Sequence, residues 1–386
     1  MYPGITDLLN DLFGTSFTHS FPPTFGTLVA ISFVLAAWTL KMELKRAENE
    51  GRILPSKKFV REGMASPLSE YIWNTIFGFL LGYKLGLIFE NSDAFFLDPQ
   101  GAILSAKGNF AGGLFGAIIF LVIKYRESAK EQKKKARTVE LQVYPHQLVP
   151  EITMAAALGG LFGAKLFHMF EYWNDFIADP VGMFVSGSGL TMYGGLIVGA
   201  ASTLWYTNKL GIKPLQMCDA AAPGLMLAYG SGRLGCQLSG DGDWGIVNNN
   251  PMPEWMSFLP DWIWSYKYPN NVINEGVPIP GCEGRFCFEL AEAVYPTPLY
   301  ECIACIALFF VLWSMRKRIS VPGVLFSWYL IFNGIERFLI EGIRVNAKYY
   351  LAGISFSQAQ VISILLLITG VAGLIYLSRK KSLVKA

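Results

Sequence analysis

Long apolar stretches recur along the whole chain, separated by shorter polar stretches that hold most of the Lys and Arg. This pattern predicts nine membrane-crossing helices, at roughly 25–40, 68–90, 108–124, 148–172, 187–207, 217–235, 298–315, 321–341 and 357–377. The first is the shortest and borrows Phe21 to Phe25 to reach across. The first 24 residues hold no Lys or Arg, so the basic region of a cleavable signal peptide is missing. The expected fold is therefore an all-α polytopic membrane protein forming one integral membrane domain over 1–386.

Composition agrees with that class. Apolar residues make up 52% and charged residues 16%, against about a quarter charged in soluble domains. The chain has 39 Gly and 28 Phe, and helices in lipid pack through small residues and anchor through aromatic belts. Disorder, a coiled coil and an ordinary soluble enzyme are excluded. Charge placement adds an orientation. With nine crossings, 41–61 and 124–137, each with seven Lys or Arg, fall on one side with 209–213, 316–318 and 379–385. That side holds 23 of the 32 basic residues, which puts the N-terminus outside and the C-terminus in the cytoplasm.

Residues 236–297 form the one large extracytoplasmic loop, rich in Pro, Asn, Trp and Gly. Cys282 and Cys287 lie five apart in it, on the side where disulfides persist, and a local bridge is expected. Cys218, Cys236, Cys302 and Cys305 fall in or beside crossings and read as packing residues. No metal motif and no nucleotide-binding loop occurs, so neither a metal nor another cofactor is expected, nor a nucleic-acid partner.

Residues 78–108 match 159–189 at a constant offset of 81, with 13 identities in 31 positions. The shared polar residues Lys84/Lys165, Glu90/Glu171, Asp98/Asp179 and Ser105/Ser186 exceed what an apolar bias produces. Both copies run in one direction, which reads as a duplicated helical hairpin and not as an inverted transporter repeat. One copy is expected to keep the chemistry and the other to be structural.

Ionisable groups at membrane depth are costly and mark function. Four motifs place such groups at the outer boundary. Gly230 to Gly245 carries Arg233, Asp241 and Asp243 among closely spaced glycines, which suits an anionic headgroup beside a proton-accepting carboxylate. The bland reading is an interfacial Arg paired with Asp241 or Asp243. Arg337 and Glu341 share a helix face at i,i+4, with Arg344 three further on; this is either a phosphate cradle or a self-satisfied ion-pair ladder. Tyr193, Gly194 and Gly195 open a helix whose free N–H groups favour an anion, although small-residue packing explains the glycines equally well. Tyr295 to Glu301 opens the seventh crossing, and Glu301 suits either the helix dipole or a partner Arg. Of the three His, only His168 stands near an acid in the outer half of a crossing, and bonding to Glu171 is its blander role.

These motifs resemble the prolipoprotein diacylglyceryl transferase family, from about Phe21 to Arg344 apart from the first hairpin copy. The family's Gly-Arg-x-Gly-Asn-Phe-x-Asn-Gly-Glu-x-x-Gly run is met by Gly232, Arg233, Gly235 and Gly240. Cys236, Gln237, Ser239 and Asp241 replace its Asn, Phe, Asn and Glu, and one extra residue falls before Gly245. Asp219 to Pro223, Gly163 to Lys165 and Tyr295 to Glu301 are similar to further family motifs. Arg337, Glu341 and Arg344 match its C-terminal Arg-x-x-x-Glu-x-x-Arg. The family's His-Gly-Gly-Leu stands here as Tyr193-Gly194-Gly195-Leu196.

The resemblance implies an enzyme of the bacterial inner membrane. It would move the diacylglyceryl group of phosphatidylglycerol to the lipobox cysteine thiol of a prolipoprotein, in its signal peptide region. Its partners are then phosphatidylglycerol, prolipoprotein signal peptides and membrane lipids. Arg233 and Arg337, with Arg344, Gly194, Gly195 and Glu301, would hold the headgroup. A phenol with an unperturbed pKa near 10 is a poor base at neutral pH, so Tyr193 would donate a hydrogen bond and Asp241, or else Glu341, would take the thiol proton. Two alternatives stand beside this one: a non-catalytic anionic-phospholipid-binding homologue, and a lipid transporter.

Overall fold

The computed structural model describes residues 1–386 except 91, 98–101, 104, 135–136, 186–188, 190, 347–348, 352–353 and 386. Of the identical repeat positions, Asp98, Pro99, Gly101 and Ser186 therefore lie outside the described residues, as does Leu190, three residues before Tyr193. The helices run α1 Ile5–Phe13, α2 Thr24–Asn49, α3 Leu68–Glu90, α4 Ser92–Leu97, α5 Phe110–Gln132, α6 Val149–Glu171, α7 Trp173–Ala178, α8 Pro180–Val185, α9 Met192–Lys209, α10 Pro214–Ser239, α11 Thr297–Met315, α12 Val324–Glu341 and α13 Gln358–Lys385. Among the described residues, each of the nine apolar segments overlaps one of the long helices.

Among the described residues, five of these are long and apolar enough to cross a membrane: α2, α3, α6 with the turn before it (Pro145–Glu171), α11, and α13 as far as Arg379. The other four are diluted for identifiable reasons. The end of α5 is strongly charged, and α9 is diluted by Gly, Ser, Thr and Tyr and closes on Asn208 and Lys209. Both α10 and α12 carry the Arg and acidic residues singled out above.

Among the described residues, three short antiparallel pairs accompany the helices, so the fold is not purely α. Ser56–Glu62 (β1) pairs with Arg137–Val143 (β2), in register from Ser56 opposite Val143 to Glu62 opposite Arg137. Phe59 and Val60 in β1 and Thr138, Val139 and Val143 in β2 are residue types that suit pairing better than helix. Val277–Pro278 (β3) pairs with Phe288–Glu289 (β4), beside the Cys282–Cys287 disulfide. Tyr349–Leu351 (β5) pairs with Ile354–Phe356 (β6).

The chain divides into two compact units, Met1–Ile53 with Thr207–Ala386, and Leu54–Tyr206. In the second, α3 with α5 and α6 with α9 form hairpins that close in the same way. A Cβ on Gly82 or Gly163 would strike the backbone carbonyl of Gly112 or Gly194, so only glycine lets these helices approach so closely. Glu90 accepts from Asn109 (2.9 Å) and Glu171 from Thr191 (3.0 Å), each partner lying just before the returning helix. Lys84 donates to the carbonyls of Ala102 and Lys107, and Lys165 to that of Met183, so both lysines tie down the turn that follows.

In the first unit α10 is central, packing against α2, α11 and α12. A core of Ala222, Met226, Cys305, Phe309, Leu312 and Leu325 joins α10, α11 and α12. At the N-terminal end of α10, Asp219 accepts from the backbone N–H groups of Gly323 (2.7 Å) and Phe326 (2.8 Å). An acid there satisfies free donors of α12 and complements its dipole. The opposite end of α10 holds the candidate site.

Candidate active site

The site begins where α10 ends. Gly240 takes φ +65° and its N–H reaches the carbonyl of Cys236 (3.0 Å), a left-handed cap that stops the helix. The chain then runs between two other segments. Gly245 donates to Tyr295 (2.8 Å), Ile246 to Ile343 (2.8 Å) and Asn248 to Ala293 (2.8 Å). A Cβ on Gly245 would lie 2.6 Å from the Ile343 carbonyl oxygen and 2.8 Å from Tyr295 Cβ, so this strand fits only with glycine. The loop is also tied to the start of α11, because Thr297 Oγ1 donates to the Asp243 carbonyl (2.9 Å). These contacts deliver the Asp243 side chain to the end of the helices.

Three guanidinium groups meet there. Arg233 on α10, Arg337 on α12 and Arg344 just beyond α12 all contact Glu301 in the first turns of α11. Arg337 Nη1 lies 3.0 Å and Arg344 Nη1 3.1 Å from Glu301 Oε1, while Arg233 Nε faces Oε2. The Glu301 side chain is completely buried. Asp243 bridges the same cluster from the loop side, pairing with both Arg233 and Arg344, and remains 35% exposed. Glu341 lies 3.1 Å from Arg337 Nη2 and accepts from Asn346 Nδ2 (2.6 Å). The Arg233 guanidinium also stands 5.3 Å from the Tyr229 ring centroid, a cation–π contact. Three cations and three carboxylates thus share a space largely closed to water. Removing one partner there leaves an uncompensated charge.

The two loop carboxylates differ. Burial pushes Asp243 up, but Arg233 and Arg344 together outweigh it and hold the carboxyl below the ordinary Asp range. Asp241 touches the Cys236 thiol, and burial, with the charge of Asp243 added, raises its carboxyl above that range. Among the described residues, Cys236, Asp241 and Asp243 are the group close enough to ligate a cation, with donor atoms within 4.8 Å. Both Asp243 oxygens already face guanidinium groups, so the donor set does not suit a metal ion.

The family model of prolipoprotein diacylglyceryl transferase matches residues 114–376, which include every member of this cluster. The chain belongs to the prolipoprotein diacylglyceryl transferase family. It is 26% identical over 272 residues to the phosphatidylglycerol--prolipoprotein diacylglyceryl transferase of Leptospira interrogans, covering 57% of this chain and 76% of that one. To the transferase of the same name from Shouchella clausii it is 27% identical over 283 residues, covering 72% and 91%. To that of Streptococcus agalactiae it is 28% identical over 233 residues, covering 60% and 79%. The family match starts at residue 114, so most of the α3–α5 hairpin precedes it.

For a diacylglyceryl transferase the residues singled out from sequence sort as follows. Arg233, Arg337, Arg344, Glu301 and Glu341 come together in one cluster. Asp241 sits beside it on Cys236 and has no ion pair among the described residues. The acid that engages the arginines is Asp243, two residues further on, which sequence reasoning held only as an alternative. Its signal was the extra residue before Gly245, which leaves either acid able to stand for the family Glu.

Tyr193, Gly194 and Gly195 belong to the other unit. Tyr193 is the second residue of α9 and half-buried, and Gly194 lies against the Gly163 carbonyl. One group was missed. Glu336 on α12 is buried, and neither carboxylate oxygen has a hydrogen-bond partner among the described residues.

Proposed function

We propose that this enzyme transfers the diacylglyceryl group of phosphatidylglycerol to the lipobox cysteine thiol of bacterial prolipoproteins, releasing glycerol phosphate. The convergence of Arg233, Arg337 and Arg344 on the buried Glu301, in a chain of this family, carries the reading. Glu301 is enclosed and holds the three guanidiniums in place. Asp243 is the more accessible carboxylate and the one a lipid phosphate would displace from Arg233 and Arg344. The arginines then face the phosphate oxygen on which charge develops as its bond to the glyceryl carbon breaks. The acceptor sulfur forms the new bond to that carbon, and the electron pair of the old bond leaves on the phosphate oxygen.

The thiol proton goes to Asp241, whose raised affinity for protons suits a base better than the arginine-bound Asp243. Glu341, enclosed between Arg337 and Asn346, positions Arg337. Tyr193, Gly194 and Gly195 stand in the frame of the family's His-Gly-Gly, and this supports a part in the reaction for the Tyr193 hydroxyl as a hydrogen-bond donor. The two hairpins are copies of one unit, and the α6–α9 copy, inside the family match, serves the reaction. The chain crosses the cytoplasmic membrane nine times with its N-terminus outside. The basic segments support this orientation, and lipid and signal peptide enter between helices.

The test is transfer from phosphatidylglycerol to a lipobox peptide by purified enzyme in vesicles, with complementation of a cell depleted of its own transferase. Thioether-linked product supports the reading. Lipid movement between leaflets with no product would make the chain a transporter.

A further inference from the structure

The loop after the site carries an exposed aromatic patch that the reaction does not use. Residues 254–263 contain Trp255, Met256, Phe258, Leu259 and Trp262 within eight positions. Met256 is buried and fastens the segment, while Trp255 is 73% exposed, Phe258 79% and Trp262 45%. Two turns of 3-10 helix, Glu254–Met256 and Asp261–Ile263, shape it. Its polar backbone closes on neighbouring loop residues. Asn248 Nδ2 donates to the Trp264 carbonyl (2.7 Å), Trp264 Nε1 to that of Asn250 (2.9 Å) and Ser265 Oγ to that of Asn248 (3.0 Å). A well-bonded loop holding three large apolar side chains outward marks an interaction surface.

Two contacts fix its height. Tyr300 Oη donates to the Ile263 carbonyl (2.8 Å), and the Trp264 ring meets the Tyr295 ring edge-on at 5.5 Å. Tyr300 is the fourth residue of α11, a helix long and apolar enough to cross a membrane. Its 19 residues rise about 1.5 Å each and span roughly the hydrocarbon thickness, so Thr297 must lie at the boundary. Residues 263–264 then lie at the same boundary, beside the first turns of α11.

We propose that residues 254–263 are an interfacial anchor that seats Trp255, Phe258 and Trp262 in the outer leaflet, at the junction of headgroups and acyl chains. Trp is favoured at this depth, where its ring is apolar and its N–H stays wet. Glu254 and Asp261 flank the patch, so attachment comes from aromatic insertion and not from attraction to anionic lipid. The anchor depends on α11 crossing the membrane and not on the reaction assigned above. Its effect is to hold the loop bearing Asp243 at the depth of a lipid phosphate.

The test uses the full chain in phosphatidylcholine vesicles, with Phe258→Cys carrying an environment-sensitive fluorophore. Glu292→Cys, an exposed polar position of the same loop, is the reference. The label at 258 should be quenched severalfold more by nitroxides high on the acyl chain than by nitroxides near its end, and should be shielded from iodide. The label at 292 should show the reverse. Raising the salt should leave the quenching at 258 unchanged. Free access of iodide to position 258 overturns the anchor. Shielding from both iodide and lipid nitroxide also overturns it, because protein would then cover the patch. Trp255→Ala with Phe258→Ala, in which labelling is unnecessary, should retain the fold and lower the apparent affinity for bilayer-borne lipid while leaving that for detergent-dispersed lipid unchanged.

Discussion

Glu301 Oε1 accepts a hydrogen bond of 3.0 Å from Arg337 Nη1 across 36 residues of sequence, and its carboxylate is wholly enclosed. The same oxygen accepts from Arg344, and the other faces Arg233. One buried acid therefore orients three cations that converge from two helices and the segment beyond one of them. Mutual repulsion would drive these cations apart without it.

Glu301→Gln keeps the size of the side chain and removes the shared charge. Leaving buried guanidiniums short of a counter-charge should cost about 3–5 kcal/mol. The expected outcome is a clearly lower melting temperature in detergent together with loss of transfer. An unchanged melting temperature would mean that the cluster is held by other contacts.

Arg233→Ala and Arg337→Ala should each abolish transfer while the protein still inserts. Losing one charge-assisted phosphate contact in an enclosed site should slow the reaction roughly a hundredfold or more. Single-turnover lipidation of a lipobox peptide is the measurement, and near-normal rates in either variant would remove that residue from the reaction.

Asp241 and Asp243 should respond to pH in opposite directions. The folded state holds Asp243 below its unfolded value of about 3.9, so its contribution to stability is present above that pH and lost as pH falls through the lower folded value. Asp241 is raised, so its contribution is complete below about pH 3.9 and lost as pH rises through the raised value. Melting temperatures from pH 3 to 8 should show Asp243→Asn flattening the acid side and Asp241→Asn flattening the decline above it.

Activity should separate the candidate bases. Asp241→Asn should slow transfer strongly, with incomplete rescue at high pH. Tyr193→Phe keeps the ring, loses the hydroxyl and should slow transfer moderately. A dead Tyr193→Phe beside an active Asp241→Asn would give the proton to the phenol.

Glu336 is a buried acid without a hydrogen-bond partner among the described residues. Glu336→Met has a similar length and no such polar atoms, and should stabilise the fold by about 1–3 kcal/mol. Thermal unfolding measures this, and transfer should persist. Loss of transfer with raised stability would assign Glu336 a part in the reaction.

Among the described residues the long helices were legible in the sequence because each rests on a local apolar run, and five of those runs are long and apolar enough to satisfy their backbone in lipid by coiling on themselves. The spacing of Cys282 and Cys287 sufficed for a local bridge, and the i,i+4 spacing of Arg337 and Glu341 for their pair. Such features depend on neighbours a few residues apart. Only the tertiary structure decided that Asp243 and not Asp241 engages the arginines, that Glu301 serves three of them, and that Asp219 caps a helix 104 residues away. Those pairings depend on how closely α10, α11 and α12 approach and on where the pinched glycine at 245 lays the loop. Residue spacing along one chain does not encode distances between helices, because they arise from the packing of all their side chains at once.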